Sequence, residues 1–386
     1  MPIDPAYAHE TLAALVRCNS INPAFGDGNT SEAVVADLVD RLLRAMGAEV
    51  TTCEFAPGRR SVVGRIPGTG GGRSLMLYGH LDTVSVEGMA APFDPIVREG
   101  RMYGRGTYDM KGGVAACLAA AKLVAESPRL AGDLYVVGVA DEETESRGVQ
   151  QVLDSLRTDG AIVTEATELD LGVAHKGFCW IEVATEGRAA HGSRPEEGVD
   201  ANLMMGRVLA AVAEHAAALQ GGKSHPLVGA GSAHVGTIRG GTGPSIYAAS
   251  CRIEIERRTL PGETPAQVLA EVQAMLDRLA GQDPAFRASC RLRLDRPSFE
   301  EDPGAELVTI VREAALEVRG RPSEVIGHSF WMDASLLKQA GIQTVVLGPA
   351  GAGAHADVEY VDLASVETLA EILARAARAY CQEQVK

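Results

Sequence analysis

The chain lacks the marks of secreted and membrane-spanning proteins. Cysteine occurs seven times in 386 residues, an odd count with no Cys-x-x-Cys pair, so neither a disulfide framework nor a zinc ribbon is expected. No segment approaches the ~18 unbroken apolar residues that a membrane span requires. The first residues, MPIDPAYAHETLAALV, have neither the basic flank nor the continuous apolar core of a signal peptide. We therefore expect a protein of the reducing cytoplasm.

Positive charge is also scarce. Lys and Arg number 36 against 51 Asp and Glu, which gives a formal net charge of −15. Nucleic acids and anionic membranes attract basic surfaces, so neither is expected as a partner. The chain is 46% hydrophobic and only 23% charged, which is typical of a folded protein. Its length exceeds one ordinary hydrophobic core, and we expect roughly two domains.

Four short apolar runs, each bounded by glycine or charge, predict buried parallel strands. Ionisable residues follow every run. The runs and the residues after them are Ser74–Gly79 before His80, Leu134–Ala140 before Glu142 and Glu143, Ala161–Thr164 before Glu165, and Thr344–Gly348 before His355. Asp109 lies in a glycine-rich loop ahead of a predicted alanine-rich helix, Gly113–Glu126. Because ligands of open α/β sheets bind at the carboxyl ends of the strands, we expect these side chains to meet at one edge.

The order of predicted elements indicates an α/β fold with an inserted domain. Strands and helices alternate up to Glu165, which is typical of a mainly parallel sheet with helices on both faces. From Phe178 to Asp295 the order changes to β-α-β-β-α-β, the layout of a ferredoxin-like domain. His355 must rejoin the site that His80 begins. We therefore predict one domain formed by residues 1–176 and 296–386, and a second domain inserted at 177–295.

Two histidines and three carboxylates at these positions have the donor atoms of a two-metal site: His80, Asp109, Glu143, Glu165 and His355. Imidazole nitrogen with carboxylate oxygen suits Zn²⁺, with Co²⁺ or Mn²⁺ as substitutes, better than Mg²⁺ or Ca²⁺. Five ligands are too many for one tetrahedral zinc ion, but they suit two ions roughly 3.5 Å apart that share a carboxylate. Asp109 is the expected bridge. His80 and Glu165 would complete one ion, and Glu143 and His355 the other.

Two more acidic residues have expected roles beside the ligands. Asp82 can accept the second N–H of the His80 imidazole, which fixes its tautomer. Glu142 precedes a ligand and can take a proton from the attacking water, so we predict that it is the general base. The alternative for Glu142 is an ordinary salt bridge, and the alternative for a single histidine is a satisfied core or surface position. Packing is a poor explanation for five such residues, because carboxylates are almost never buried unpaired.

The motifs around these residues resemble those of one family. The motifs are His80-Leu81-Asp82, Gly106–Gly113 (GTYDMKGG), Asp141-Glu142-Glu143 and Glu165-Ala166-Thr167. They are similar to the signatures of the M20 family of dizinc amidohydrolases, in order from about Asn22 to Tyr360. That family includes acetylornithine deacetylase, succinyl-diaminopimelate desuccinylase, aminoacylase and the glutamate carboxypeptidases. The resemblance implies the metal roles given above and a cis peptide bond after Asp109.

The resemblance also implies that the inserted domain is a lid and dimerisation domain. His191 matches the histidine that, in dimeric members, reaches the active site of the other subunit and stabilises the tetrahedral oxyanion. Arg258 matches an arginine that binds the substrate carboxylate, a task suited to a planar guanidinium. An asparagine that many relatives carry near Gly240–Ile246 is absent here. The alternative for His191 is a plain loop position, and the alternative for Arg258 is pairing with Glu254 or Glu256.

These observations favour a metal-dependent hydrolase that cleaves the amide bond of N-acyl amino acids, as acetylornithine deacetylase-like enzymes do. The expected substrate is a small molecule with a free carboxylate, and the expected assembly is a homodimer. A dizinc carboxypeptidase or dipeptidase could use the same residues on small peptides. Outside enzymes, the alternative is a non-catalytic relative that kept the metal site. The intact base Glu142 favours an enzyme.

Overall fold

The computed structural model describes residues 2–26, 28 and 30–382. The chain forms two compact units. The main unit comprises Met1–Val173, Glu301–Ile326 and Met332–Lys386, and the inserted unit comprises Ala174–Glu300 and Gly327–Trp331. The inserted unit thus includes three segments that the sequence assigns to the other domain: 174–176, 296–300 and 327–331.

The α-helices in chain order are Pro5–Arg17 (α1), Ala33–Ala45 (α2), Gly112–Ala125 (α3), Arg147–Leu153 (α4), Ala201–Gly221 (α5), Pro265–Gln282 (α6), Glu306–Arg319 (α7), Ala334–Gln339 (α8) and Leu363–Tyr380 (α9). The strands up to the inserted unit are Glu49–Ala56 (β1), Arg59–Ile66 (β2), Leu75–His80 (β3), Ile96–Arg98 (β4), Arg101–Tyr103 (β5), Leu134–Val139 (β6), Gly160–Val163 (β7) and Leu171–His175 (β8). The remaining strands are Gly177–Glu186 (β9), Ser224–His225 (β10), Gly229–Ala230 (β11), Ser232–Gly240 (β12), Ser250–Thr259 (β13), Ala288–Arg296 (β14), Phe299–Glu300 (β15), Val325–His328 (β16), Gln343–Val346 (β17), Gly351–Ala352 (β18) and Tyr360–Asp362 (β19). Within the described part of the chain, no helix combines the length of a membrane span with its apolar composition.

The main unit is built on a sheet whose strands run in the order β1-β2-β6-β3-β7-β17-β8. The central strands β6, β3, β7 and β17 are parallel, whereas β1, β2 and β8 pair antiparallel at the flanks. Gly79 of β3 is opposite Gly138 of β6, and Tyr78 of β3 is opposite Val163 of β7. The carboxyl ends of these three strands therefore lie side by side. The prediction of a mainly parallel α/β sheet is confirmed.

Helix α3 lies in the interior of the main unit, against α1 and α9. Its residues are buried around the whole circumference, as expected for a helix made mostly of alanine, valine and leucine. Its first turn approaches the end of β7 very closely. An ideal Cβ on Gly113 would lie 2.2 Å from the carbonyl oxygen of Thr164, so only glycine fits there. This close approach places the start of α3 beside Glu165.

The inserted unit has the predicted β-α-β-β-α-β order, formed by β9, α5, β12, β13, α6 and β14. Its antiparallel sheet runs β12-β13-β9-β14. Alternate residues of β13 are buried, and Ile253 and Ile255 join a core that includes Val208 of α5 and Val272 of α6. The ferredoxin-like layout predicted from the sequence is therefore confirmed.

Two parts of the main unit differ from the regular alternation of strands and helices expected before Glu165. Strands β1 and β2 form an antiparallel hairpin, and β1 has no buried residue, so it carries no apolar run that would reveal it. Strands β4, β5, β18 and β19 form a separate antiparallel sheet. These strands are only two or three residues long, which is too short for periodicity to show.

Candidate metal centre

The five residues predicted as metal ligands converge at one edge of the main sheet. His80 is the last residue of β3, Glu143 follows β6 and Glu165 follows β7. Asp109 lies in the loop between β5 and α3, within the π-helical turn Thr107–Lys111, although its own backbone angles are not helical. His355 lies between β18 and β19. Three of the five therefore arrive on adjacent parallel strands, and the other two on loops. The peptide bond between Asp109 and the next residue is cis, as the resemblance implies.

Asp109 lies between the two imidazoles. Its Oδ1 is 3.1 Å from Nε2 of His80, and its Oδ2 is 3.2 Å from Nε2 of His355. Nε2 of His80 is also 3.6 Å from Oε1 of Glu165. Nε2 of His355 is 3.2 Å from Oε2 of Glu143. Each imidazole thus faces one oxygen of a shared carboxylate and one carboxylate of its own, which is the grouping expected from the sequence.

Burial and mutual repulsion change the proton affinities of this cluster. Burial and the neighbouring charge of Asp109 raise the pKa of Glu165 to about 8. The same two causes raise the pKa of Glu143 above its usual range. Hydrogen bonds with Asp109 and Glu143 raise the pKa of His355 to about 10. Carboxylates this crowded are stabilised by positive charge among them, whether it comes from protons or from metal ions.

The cluster fits divalent cations. Donor atoms of His80, Glu142 and Glu165 lie within 4.8 Å of one another, and so do those of His80, Asp109 and Glu143. Oε1 of Glu143 is buried and has no hydrogen-bond partner among the described residues. A buried carboxylate oxygen without a partner is costly unless a donor or an ion satisfies it. Imidazole and carboxylate donors suit Zn²⁺ and its usual substitutes, so these residues fit the ions that the resemblance implies.

Asp82 supports the centre in two ways. Its backbone carbonyl oxygen is 3.0 Å from Nδ1 of His80, whereas its carboxylate oxygen Oδ1 is 3.5 Å from that nitrogen. The carboxylate instead accepts the backbone N–H of Glu142 at 3.1 Å and that of Glu143 at 3.2 Å. The main chain of Asp82 thus orients the imidazole, while its side chain fixes the loop that carries the predicted base.

Comparison with known proteins identifies the family. The profile of peptidase family M20/M25/M40 matches residues 76–379, which is most of the chain. The protein belongs to this family. This M20 chain is also 34% identical over 328 residues to acetylornithine deacetylase from Myxococcus xanthus, an alignment that covers 81% of this chain and 82% of that protein. The family predicted from the motifs is confirmed, and with it an M20 hydrolase.

Solved structures of other proteins share the M20 fold. A tripeptidase from Staphylococcus aureus is similar with a TM-score of 0.80 and 22% identity, over 98% of this chain and 99% of that chain. A dinuclear metal-binding peptidase of the M20 family from Bacillus subtilis is similar with a TM-score of 0.74 and 16% identity, over 98% of this chain and 100% of that chain. At these identities the similarity concerns the fold.

The motif pattern does not reveal the role of Asn22, which contacts two acidic residues of the centre. Its Nδ2 donates to Oδ2 of Asp82 at 2.8 Å and to Oδ1 of Asp141 at 3.2 Å. Arg59 binds the same oxygen of Asp141 at 2.7 Å and also pairs with buried Glu32 at 2.7 Å. This hydrogen-bond network fixes the position of the loop that carries the predicted base, Glu142. The one sequence signal is that Asn22 stands at the start of the region resembling the M20 family.

In the inserted unit, the predicted oxyanion donor His191 is exposed. Its Nδ1 accepts the backbone N–H of Ser193 at 3.2 Å. A neutral imidazole that accepts at Nδ1 carries its proton on Nε2. His191 therefore presents a hydrogen-bond donor at the outer end of its ring.

Arg258 and its neighbour Arg257 have different surroundings. Arg257 is buried and pairs with Glu263 at 2.9 Å. Arg258 lies on the other face of β13, partly exposed, where its Nε donates to Oε1 of Glu256 at 2.8 Å and its guanidinium lies 4.9 Å from the ring centre of Phe178. The pairing with Glu256, considered above as the alternative, is thus present. It uses Nε, and the side chain of Arg258 remains 30% exposed.

Proposed function

We propose that this M20 hydrolase is a dizinc amidohydrolase that removes the acyl group from the α-nitrogen of N-acyl amino acids. The observation that carries the proposal is the position of Asp109 between His80 and His355, with Glu142 beside them. The 34% identity to acetylornithine deacetylase supports deacylation as the reaction.

The proposed ligand set follows the contacts. His80, Asp109 and Glu165 would hold one ion, and Asp109, Glu143 and His355 the other. When bound, such ions polarise the amide carbonyl and lower the pKa of water to about 7. We propose Zn²⁺ as the native metal, with Co²⁺ or Mn²⁺ able to replace it.

Glu142 is proposed to act first as general base and then as general acid. Its carboxylate takes a proton from the attacking water while the water oxygen bonds to the amide carbon. The same proton passes to the nitrogen as the C–N bond breaks, which yields a carboxylic acid and a free amino acid. The hydrogen bond from the backbone of Glu142 to Asp82 holds the base in place during both transfers.

His191 and Arg258 are proposed to contact the substrate. His191 would donate its Nε2–H to the oxygen that becomes negative, and Arg258 would bind the free carboxylate of a small-molecule substrate by two parallel hydrogen bonds. In dimeric M20 members the matching histidine acts in the active site of the other subunit. The proposed role of His191 therefore requires a homodimer, which we also propose.

We also propose a cytoplasmic location, which the seven free cysteines support.

A substrate panel tests the function. Zinc-loaded protein is incubated with N-acetyl amino acids, with the matching N-acetyl amino acid amides, which lack the free carboxylate, and with unacylated dipeptides. We expect free amine to be released from the N-acetyl amino acids and much more slowly from the amides. The Glu142→Gln variant, purified identically, measures hydrolysis by contaminants. Cleavage of dipeptides alone would make the protein a dipeptidase, and no cleavage with metal bound would make it a non-catalytic relative.

A further inference from the structure

Glu359 is a buried carboxylate outside the proposed ligand set, only 1% exposed. It accepts four hydrogen bonds, and all of them come from the loop that carries Asp109. Oε2 accepts from Nη1 of Arg105 at 2.7 Å and from the backbone N–H of Gly106 at 3.0 Å. Oε1 accepts from the backbone N–H of Tyr108 at 2.9 Å and from that of Asp109 at 3.1 Å. Every lone-pair direction of this carboxylate is therefore used to hold one loop.

Arg105, the partner of Glu359, joins that loop to two others. It is 3% exposed. Its Nε donates to the carbonyl oxygen of Ser85 at 3.0 Å, in the segment that follows His80. Its Nη2 donates to the carbonyl oxygen of Ala356 at 3.1 Å, directly after His355. One guanidinium thus contacts the segments that carry three of the proposed ligands.

We propose that Arg105 and Glu359 are positioning residues that set the affinity of the centre for metal ions. The inference rests on the proposed function, because it concerns the same metal site. The two carboxylate oxygens of Asp109 lie 3.1 Å from Nε2 of His80 and 3.2 Å from Nε2 of His355. A shift of the loop that carries Asp109 therefore disturbs both proposed metal positions. The pair fixes that loop against the segment of His355. Their hydrogen bonds to the ligand-bearing segments go to main-chain atoms, so both residues act through the main chain.

The chemistry of the pair explains why a full carboxylate and a guanidinium are needed. A glutamine at position 359 would place an NH₂ group against the N–H of Gly106 or of Tyr108, since all four partners of Glu359 are donors. A lysine at position 105 would keep the charge, but its three N–H donors share one nitrogen, whereas Arg105 donates from three separate nitrogens. Supporting residues of this kind typically change metal affinity by about 10–100-fold when they are replaced.

A purely structural role is the competing explanation, because breaking a buried ion pair destabilises any fold. Glu301 provides a matched control in the same unit. It is 3% exposed, and it accepts from Lys338 at 2.7 Å and from the backbone N–H of Thr344 at 2.9 Å, away from the five ligands. Glu301→Gln should therefore lower stability and leave metal affinity unchanged.

The test is a Co²⁺ titration of the metal-free full-length chain, followed by the visible absorption of bound cobalt, with thermal unfolding measured in parallel. For Glu359→Gln and Arg105→Lys we expect apparent dissociation constants raised about 10–100-fold and an altered cobalt spectrum. Glu301→Gln should bind cobalt like the unaltered chain.

Native affinity and spectrum in both variants would overturn the proposal, even if both melt earlier. If Glu359→Gln fails to fold, the test is made with Arg105→Lys. If neither variant folds with metal present, the pair has a structural role only, and this result also overturns the proposal. Because the titration uses no substrate, its result does not depend on whether the substrate panel supports the proposed reaction. Absence of cobalt binding by the unaltered chain would instead refute the proposed metal centre and this inference with it.

Discussion

The carboxylate of Asp82 accepts the backbone N–H of Glu142 at 3.1 Å. The same side chain accepts the N–H of Glu143 at 3.2 Å, and the carbonyl oxygen of Asp82 is 3.0 Å from Nδ1 of His80. One residue thus fixes the proposed base and two proposed ligands. His80 is far from Glu142 and Glu143 in sequence, but the adjacent strands β3 and β6 bring them together.

Replacement of Asp82 by asparagine should weaken both metal binding and turnover. The amide keeps one acceptor oxygen, but its NH₂ group would face an N–H of the Glu142 loop or the amide of Asn22. We expect metal affinity to fall about 10–100-fold, as measured by competition with a chelator, together with a lower kcat. Asp154→Asn, which alters an exposed carboxylate at the end of α4, serves as control. Unchanged affinity and kcat in Asp82→Asn would mean that the loop keeps its position without this support.

Replacement of Glu142 by glutamine should separate catalysis from metal binding. The variant keeps the shape of the side chain but cannot take a proton, so we expect kcat to fall by roughly 10²–10⁴-fold. Metal content by mass spectrometry should remain that of the unaltered chain. Glu142 has a donor atom within 4.8 Å of donors of His80 and Glu165, so a loss of metal in the variant would identify it as a ligand instead.

Two glycine-to-alanine changes should have opposite effects on stability. A Cβ on Gly113 would lie 2.2 Å from the carbonyl oxygen of Thr164, which forces α3 away from β7, at a cost of about 1–3 kcal/mol or more. A Cβ on Gly206, in the interior of α5, would meet no atom within 4 Å. Gly206→Ala should therefore stabilise its helix by about 0.5–1 kcal/mol. Urea unfolding measures both, and similar small effects at the two sites would contradict the close packing of α3.

Metal binding should release protons at pH 7. Hydrogen bonds with Asp109 and Glu143 raise the pKa of His355 to about 10, and burial raises that of Glu165 to about 8, so both groups hold protons in the metal-free protein. Metal ions bind the deprotonated forms, and the protons must leave. Affinity should therefore fall as the pH is lowered and rise as the pH is raised. Calorimetric titration in buffers of different ionisation enthalpy counts the protons, and a heat independent of the buffer would contradict the expected release.

The ligand positions can be predicted from the sequence because they follow strands with a strong local pattern. All residues of β3 and β7 are buried, so each appears as an unbroken apolar run that ends at a polar residue. Parallel strands then bring their carboxyl ends to one edge, which is why His80 and Glu165 meet although they are 85 positions apart. The loop residue Asp109 was predictable from its motif and not from periodicity.

The residues that hold the ligands cannot be predicted in the same way. Glu359 stands in the run Asp357-Val358-Glu359 and Arg105 stands between two glycines, and in the sequence both look like charges in solvent. Their burial depends on three loops that meet only in the folded chain. The exposed edge strand β1 escapes prediction for a related reason, since its pairing with β2, and not its own composition, makes it a strand.

In the proposed centre, five side chains from distant parts of the chain bind two metal ions through a shared Asp109. The most direct test of this centre is the zinc content per chain, measured by mass spectrometry after dialysis, for the unaltered protein and for His355→Ala. His355 contacts Asp109 and Glu143 but belongs to one side of the centre only. We predict two zinc ions in the unaltered chain and one in the variant. No bound zinc in the unaltered chain, or an equal content in both proteins, would contradict the two-metal centre.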